Sequence, residues 1–401
     1  MTSCIAFNLA FLVGIAWTCC ANADELAPPG RTISGDPFRA ELRGIDPDWK
    51  LRFRQGKRDL NVPAAELVSW GHFSDRADGP QILLANESRL RVSSVELDGE
   101  RLKATSNTFG ELRLPIEVVR GLVLENPFEA ASRDRLADSI MSAKGERDRL
   151  ILTNGDQLRG TITELTAQKC QIESDRVQTS LELARIRAVV FDPGLVEASA
   201  ASGLRAWIGF SDGSRILTSR MSQDGNSLLL RGPDKSEFHA PLSSVTAIQP
   251  LGGRTTYISD LRVSGYRHVP YLSLTWPYRQ DRSVLDTMLR SGDKLYLKGI
   301  GMHSAGRLTY DLDRHYQRLA GQLAIDDAAA GGGSVVFRVF ADDGAAGWKP
   351  LYTSPVIRGG SEPVPLRVEL NGAKRISLLV DFAERGDQQD YADWLNLHLV
   401  E

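Results

Sequence analysis

The chain has 401 residues, of which 42% are hydrophobic and 25% are charged, and its formal net charge is −3. This composition is that of a globular protein long enough for two or three domains. The 48 basic and 51 acidic residues form no long run of like charge. The sequence therefore indicates neither a nucleic-acid surface nor a polybasic membrane patch.

The N-terminal segment is typical of an export signal. Residues 5–20 are almost wholly apolar, and Ala21-Asn22-Ala23 fits the small-x-small cleavage rule, although no lysine or arginine precedes the apolar run. The run is shorter than the roughly 20 residues that a membrane-spanning helix needs. We expect cleavage after Ala23 and a periplasmic, cell-envelope or secreted protein without a transmembrane segment.

Three of the four cysteines, Cys4, Cys19 and Cys20, lie in this signal segment. A lipoprotein anchor through Cys19 or Cys20 is disfavoured by the bulky Trp17. Because only Cys170 follows the cleavage site, we expect no intramolecular disulfide and no cysteine-based metal site. Its alternating surroundings predict a buried residue on a strand.

After a short linker predicted over residues 24–36, the chain up to residue 252 is rich in short β-type runs separated by turn dipeptides. These dipeptides are Asp98-Gly99, Asn154-Gly155, Asp212-Gly213 and Asp224-Gly225. They predict hairpins with type I′ turns, in which both central residues have positive φ.

The β-type runs repeat as units. Hairpins predicted at residues 82–90, 150–158 and 206–216 are each followed by a closing element with apolar residues at i, i+3 and i+6. These residues are Ile116, Val119 and Leu122; Leu183, Ile186 and Val189; and Leu242, Val245 and Ile248, while a more divergent first unit ends at Pro63, Ala64, Leu67 and Trp70. The spacing suits one helical turn, for which Pro115 and Pro241 fit the first position. Such units resemble SH3-like or Sm-like small barrels, or blades of a longer β array. Each is too small to bury much core alone, so we expect it to pack against its neighbours.

A helical segment, residues 128–148, separates a first β-repeat block (37–127) from a second one (149–252). Leu136, Ile140 and Met141 form its apolar stripe, and Gly145 can end it. Residues 253–401 are again rich in strand-length apolar runs, which predicts a β-sandwich. The predicted fold class is therefore all-β with one short linking helix.

The last third of the chain contains an ordered set of motifs. Lys298-Gly-Ile-Gly-Met-His303-Ser304 is followed by Tyr310-Asp-Leu312, Ile325-Asp-Asp327, Ser334-Val-Val-Phe-Arg-Val339 and Asp387-Gln-Gln-Asp390-Tyr-Ala-Asp393-Trp394. This set resembles the NPCBM family of carbohydrate-binding modules, which occur in secreted bacterial proteins. The resemblance implies a galactose-binding-like jelly-roll sandwich whose edge loops hold sugars.

Six residues are candidates for carbohydrate binding: His303, Trp276, Tyr278, Asp390, Asp393 and Trp394. Aromatic faces suit the C–H surfaces of sugars, and the polar side chains can hydrogen-bond their hydroxyls. His303 is equally compatible with a buried role between two strands, and Trp394 with the core. Asp387 and Asp390 also suggest a structural Ca²⁺ site, because Ca²⁺ prefers oxygen ligands.

These observations favour an exported, non-catalytic protein that binds a glycan or polysaccharide, with the β units as scaffold. The alternative is a structural or protein-interaction role, with other envelope proteins as partners and no sugar binding. An enzyme is less consistent with the sequence, which lacks a nucleophile elbow, a zinc-binding helix motif and a phosphate loop. The doublets Asp326-Asp327 and Asp342-Asp343 do not form facing pairs by themselves, because adjacent strand residues point to opposite faces.

Overall fold

The structure is a computed structural model that describes residues 27–76, 78–196, 202–345 and 347–401. The predicted signal segment and its cleavage site after Ala23 lie outside these residues. Within the described ranges the chain has 37 strands and one α-helix, so the all-β prediction is confirmed. None of the helical segments in these ranges has the length and apolar character needed to cross a membrane.

The N-terminal region consists of four units with one common strand order. The first contains β1 (Pro29–Thr32), β2 (Pro37–Arg39), β3 (Glu41–Ile45), β4 (Lys50–Gln55), β5 (Arg58–Pro63) and β6 (Leu67–Gly71). The second contains β7 (Gln81–Leu84), β8 (Arg89–Arg91), β9 (Ser94–Asp98), β10 (Arg101–Ser106), β11 (Gly110–Pro115) and β12 (Val119–Val123). The third contains β13 (Asp148–Leu152), β14 (Gln157–Leu165), β15 (Lys169–Ser174), β16 (Val177–Glu182) and β17 (Ile186–Val190). The fourth contains β18 (Arg205–Phe210), β19 (Arg215–Thr218), β20 (Arg220–Asp224), β21 (Ser227–Arg231), β22 (Glu237–Pro241) and β23 (Val245–Leu251).

Each unit closes by antiparallel pairing of its first strand with its last: β1 with β6, β7 with β12, β13 with β17 and β18 with β23. A one-turn 3₁₀ helix precedes every closing strand, at Ala64–Glu66, Ile116–Val118, Leu183–Arg185 and Leu242–Ser244. This is the turn that the three-residue apolar spacing predicts. The segment predicted as a linker instead contains β1, which pairs with β2 and β6 because it supplies the first strand of unit one.

The hairpin turns differ from the expected type. In the four predicted dipeptides only the glycine has positive φ, at Gly99, Gly155, Gly213 and Gly225, so the type I′ prediction is wrong. At Asn154 the side-chain oxygen accepts a hydrogen bond from the Asp156 backbone N–H at 3.0 Å. Such side-chain capping stabilises a turn that needs a left-handed conformation at the glycine alone.

The two predicted β-repeat blocks share one sheet. β12 of unit two pairs with β17 of unit three, and β6 of unit one pairs with β23 of unit four. A single pair, Arg215 opposite Arg89, joins β19 to β8. Cys170 is fully buried within these units, and its burial raises the pKa of the thiol to about 12, which agrees with the predicted apolar role.

Helix α1 (Ala130–Met141) packs against the outside of this joined sheet. Ala137 and Ile140 are buried against Val123 of β12 and Val190 of β17, and Leu136 and Met141 are partly buried at the edge of the same cluster. The predicted apolar stripe therefore faces the sheet. The helix covers the junction of units two and three and does not merely link two blocks.

The C-terminal region is a sandwich of two antiparallel sheets. Its strands are β24 (Thr255–Tyr257), β25 (Gly265–His268), β26 (Arg279–Gln280), β27 (Leu289–Ser291), β28 (Lys294–Tyr296), β29 (Gly299–His303), β30 (Gly306–Asp311), β31 (Arg318–Ile325), β32 (Ser334–Asp342), β33 (Lys349–Thr353), β34 (Ile357–Arg358), β35 (Val364–Glu369), β36 (Arg375–Phe382) and β37 (Tyr391–Val400). One sheet has the order β26-β29-β37-β31-β35, with β24 also paired with β37. The other has the order β25-β30-β36-β32-β33, with β34 also paired with β32, and β27 and β28 form a separate two-stranded sheet. The apolar side chains between them form a separate core.

Helix α1 also contacts the sandwich domain. Arg290 of β27 donates to both carboxylate oxygens of Asp134, at 2.6 and 3.0 Å, and to Asp75 at 2.8 Å. Nearby, the buried Tyr257 donates its hydroxyl to the Val68 carbonyl at 3.1 Å. The N-terminal units and the sandwich thus share a buried polar interface.

Candidate functional site

Three segments meet at one edge of the sandwich. His303 ends β29 and Ser304 begins the turn to β30, and the loop before β37 carries Asp387 and Asp390. A third loop, residues 269–278, follows β25 and lies over the turn, where the Val269 backbone N–H donates to the Ala305 carbonyl at 3.1 Å. The topology therefore brings together motifs that are far apart in sequence.

The centre of this edge is an aromatic stack. The Trp276 indole lies parallel to the His303 imidazole, with ring centroids 4.6 Å apart and an interplanar angle of 1°. Tyr391 is tilted against both rings, 6.0 Å from Trp276 and 6.1 Å from His303. His303 is only 2% exposed, whereas Trp276 and Tyr391 are half-buried. The buried His303 ring therefore packs against one face of the Trp276 indole and holds it in place.

The Ser304 carbonyl orients two histidines. It lies 3.1 Å from Nδ1 of His303 and 2.9 Å from Nε2 of His268, so each of these nitrogens carries the proton that it donates. Burial lowers the pKa of His303, which favours the neutral ring. Its Nε2 atom is then left as a hydrogen-bond acceptor.

Asp390 is turned into the protein and does not stand at the rim. It is fully buried, and its Oδ1 accepts a hydrogen bond from the Ser334 backbone N–H at 2.8 Å. Burial raises its pKa to about 6, and the adjacent Ser304 hydroxyl opposes that change. No group of three or more His, Cys, Asp or Glu side chains suited to a metal ion occurs among the described residues. The Ca²⁺ site expected at Asp387 and Asp390 therefore has no support in their surroundings.

Asp393 and Trp394 also lie away from the edge, since both are fully buried. Trp394 fills the core of the sandwich, perpendicular to Phe337 at a centroid distance of 4.9 Å. Asp393 is the next residue on the strand and so points to the opposite face, where Asp326 lies. Neither side chain is placed to contact a sugar at the surface. For Asp393 this contradicts the candidate role in binding, and for Trp394 it agrees with the core alternative.

Tyr278 lies outside the stack of Trp276 and His303 but supports the 269–278 loop. Its ring packs on Tyr266 at a centroid distance of 4.9 Å, and the Tyr266 hydroxyl donates to the Trp276 carbonyl at 2.5 Å. Both tyrosines rest against the core of the sandwich. Tyr278 therefore supports the backbone at Trp276.

The aromatic surface extends beyond the predicted residues. Tyr271 is 56% exposed and packs edge-on against Phe382, which is 40% exposed, at 5.8 Å. Tyr271 also covers Gly386, in the loop that leads to Tyr391. We call Trp276, Tyr391, Tyr271 and Phe382 the aromatic rim. Phe382 and His268 belong to none of the sequence motifs, so only the strand topology shows that they lie at this edge of the sandwich.

A known protein family matches the chain in this region. The family model of the NPCBM/NEW2 domain matches residues 254–400. The Alpha-1,3-galactosidase B of Akkermansia muciniphila is 34% identical over 123 residues, which are 30% of this chain and 15% of that protein. A Renibacterium salmoninarum protein, provisionally named an endo-alpha-N-acetylgalactosaminidase, is 33% identical over 108 residues, 27% of this chain and 7% of that protein. The chain thus spans a small part of both relatives.

Two solved structures from Clostridium perfringens share lower similarity. The CBM51-2 and INT domains of ZmpB are 23% identical, with a TM-score of 0.33, over 44% of this chain and 36% of that one. The CBM51 of GH95 in complex with methyl-galactose is 19% identical, with a TM-score of 0.31, over 36% of this chain and 99% of that one. These scores are low, so the sandwich assignment rests on the strand order of the chain itself. The residues that form this sandwich are those that match the NPCBM/NEW2 family model, 254–400.

Proposed function

We propose that this is an exported, non-catalytic protein that binds carbohydrate at the aromatic rim of its C-terminal sandwich. The observation that carries the proposal is the Trp276 indole, supported on one face by the buried His303 ring and half-exposed at the edge. An immobilised aromatic ring is a platform for the apolar face of a sugar, and its rigidity lowers the entropy lost on binding.

Polar groups beside the platform suit a ligand rich in hydroxyls. The half-buried Tyr391 ring lies beside the indole, and the carboxylate of Asp387 lies in the adjoining loop, close enough for its charge to act on His303. The names of both curated relatives refer to galactose-type substrates. We therefore place galactose-type glycans first among the ligands, with other glycans as the wider class.

The four N-terminal units act as scaffold in this proposal, each an SH3-like barrel closed by its 3₁₀ turn. The proposal is supported by their common strand order and by the sheets that join them. The interface at Arg290 and Asp134 fixes the sandwich on this scaffold. Export is proposed from the N-terminal sequence.

The test is a glycan array with the full chain, followed by calorimetric titration of any ligand found. The Trp276→Ala variant is expected to lose binding while unfolding at the wild-type temperature. Trp348→Ala is the matched control, because Trp348 is a half-buried tryptophan of the same domain that packs against Arg307 and Arg375. A folded chain that binds no glycan would overturn the proposal in favour of a structural or protein-interaction role.

A further inference from the structure

A second candidate site lies at the interface of the N-terminal units and the sandwich domain. A cavity of about 420 Å³ opens there. Its cationic lining consists of Arg89, Arg205 and Arg215 from the N-terminal units and Arg282 and Lys298 from the sandwich domain. None of these residues belongs to the aromatic rim.

Two of the arginines are held against each other without a counter-ion. Arg89 and Arg215 are directly opposite across the pairing of β8 and β19. Like charges at such positions destabilise a sheet. Within the described residues neither guanidinium makes a hydrogen bond or an ion pair. Burial lowers the pKa of both side chains, as expected for cations without a partner.

Three carboxylates line the cavity. Glu87 is exposed and makes no ion pair among the described residues, whereas the two aspartates are engaged by other cations. Asp138 accepts from Arg282 at 2.6 Å, and Asp281 accepts from Lys298 at 2.8 Å. Asp134 and Asp75, whose charges also act on Arg89 and Arg215, are both bound by Arg290. These aspartates pair directly with other cations, so Arg89 and Arg215 have no ion-pair partner of their own among the described residues.

The other residues that line the cavity are typical of a ligand-binding site. Nη1 of Arg282 is buried without a hydrogen-bond partner among the described residues. Trp207, Leu217 and Met288 supply apolar walls. Ligand sites are typically cavities of roughly 300–1,000 Å³ with a few convergent polar groups on an apolar lining. The cavity exceeds a bare inorganic anion in size and can hold a molecule of sugar size.

We propose that this cavity binds a small molecule bearing a sulfate or phosphate group, held by the guanidinium groups of Arg89 and Arg215. Guanidinium forks donate two parallel hydrogen bonds to such oxyanions. The bound dianion removes the repulsion between the two arginines and also reaches Arg282 on the sandwich domain. Binding therefore stabilises the contact between the two regions of the chain.

The experiment measures the Tm of the full chain during titration with sodium sulfate or sodium phosphate, with ionic strength held constant by NaCl. The wild type is expected to show a saturable rise in Tm, because a ligand that binds only the folded state stabilises it by mass action. The R89Q/R215Q variant is expected to lose this rise. In NaCl alone its Tm should equal or exceed that of the wild type, because two unpaired cations have been removed.

The control variant R101Q/R113Q loses the same charge from exposed strand positions and should respond to the anions like the wild type. The R215K variant keeps the positive charge but loses the two parallel donors of the guanidinium group, so the anion concentration at half-saturation should rise about tenfold. R215K replaces R89Q/R215Q as the test variant if the double variant does not fold. No saturable rise beyond NaCl, or a rise that survives both substitutions, would overturn the proposal.

Two further titrations identify the carrier of the anion. Galactose 6-sulfate and glucose 6-phosphate are compared with the inorganic ions, again in the wild type and in R89Q/R215Q. If the wild type binds one of the two sugar esters at least tenfold more tightly than the inorganic ion, and R89Q/R215Q abolishes that binding, the ligand is a sugar-linked oxyanion. Equal binding identifies the free ion as sufficient. If R89Q/R215Q still binds the sugar esters tightly, the cavity is not their binding site, which contradicts the proposal.

Discussion

Asp326 and Asp393 form a buried pair of carboxyl groups on the outer face of β37. Asp393 is fully buried and Asp326 is 3% exposed. Burial raises the pKa of both groups, and the charge of Asp326 raises that of Asp393 further. Asp326 accepts from the backbone N–H groups of Ala328 and Arg290, at 2.9 and 3.1 Å. These bonds favour an ionised Asp326, so we infer that Asp393 carries the proton that the pair shares.

This pair predicts that the protein loses stability as the pH rises. A carboxyl group whose pKa is raised by folding binds more protons in the folded state than in the unfolded state. As the pH rises, the free energy of unfolding therefore begins to fall near the unfolded-state pKa of about 4 and continues to fall up to the folded-state pKa. A tenfold difference in proton affinity between the folded and unfolded states corresponds to about 1.4 kcal/mol. Asp393→Asn mimics the protonated form and should reduce the loss between pH 5 and 8, measured by urea unfolding. The exposed Asp311→Asn is the control, and equal destabilisation of Asp393→Asn at every pH would contradict the shared proton.

Asp134→Ala should destabilise the contact between helix α1 and the sandwich. The substitution leaves the buried Arg290 without its bidentate partner and Met288 without an acceptor for its backbone N–H. Breaking one side of a fully buried ion pair costs about 3–5 kcal/mol, and the loss here should lie below that range because Arg290 keeps its pair with Asp75. Urea unfolding measures the loss, and Arg314→Ala, which removes only an exposed pair with Glu401, should barely move the midpoint. An equally small change for Asp134→Ala would show that the interface is weak.

His303→Ala should weaken sugar binding by roughly tenfold, because aromatic pairs contribute about 0.5–1.5 kcal/mol and the indole loses its support. The ligand found on the array is titrated by calorimetry. Asp393→Asn should bind normally, since Asp393 does not reach the rim. If Asp393→Asn lost binding and His303→Ala kept it, the site would lie elsewhere on the domain.

Cys170 should be unreactive in the folded protein. It is fully buried, and its pKa of about 12 leaves almost no thiolate at neutral pH. In a chain that starts at Asp24, iodoacetamide should label this thiol only after addition of guanidinium chloride, as measured by mass spectrometry. Labelling in native buffer at the rate of free cysteine would contradict the burial.

The sequence predicts the local elements better than their long-range contacts. The spacing of Ile116, Val119 and Leu122 correctly indicates a helical turn before a strand, because that pattern depends on neighbouring residues alone. The sequence offered a core position as an alternative for Trp394. The burial of Asp393 was not predictable, since both faces of β37 are covered by elements remote in sequence. Similarly, Arg89 and Arg215 become neighbours only through the pairing of units two and four.

The pairing of β6 with β23 has a consequence for how the chain folds. β6 belongs to unit one, which is synthesised before unit four. Its partner β23 lies in unit four, where Gly71 pairs with Ala247 and Trp70 with Ile248. Until β23 emerges, β6 presents an unpaired edge that other chains can join. Such non-local pairing also slows folding. A nascent chain of this protein is therefore most prone to aggregation during the interval between the synthesis of its first and fourth units.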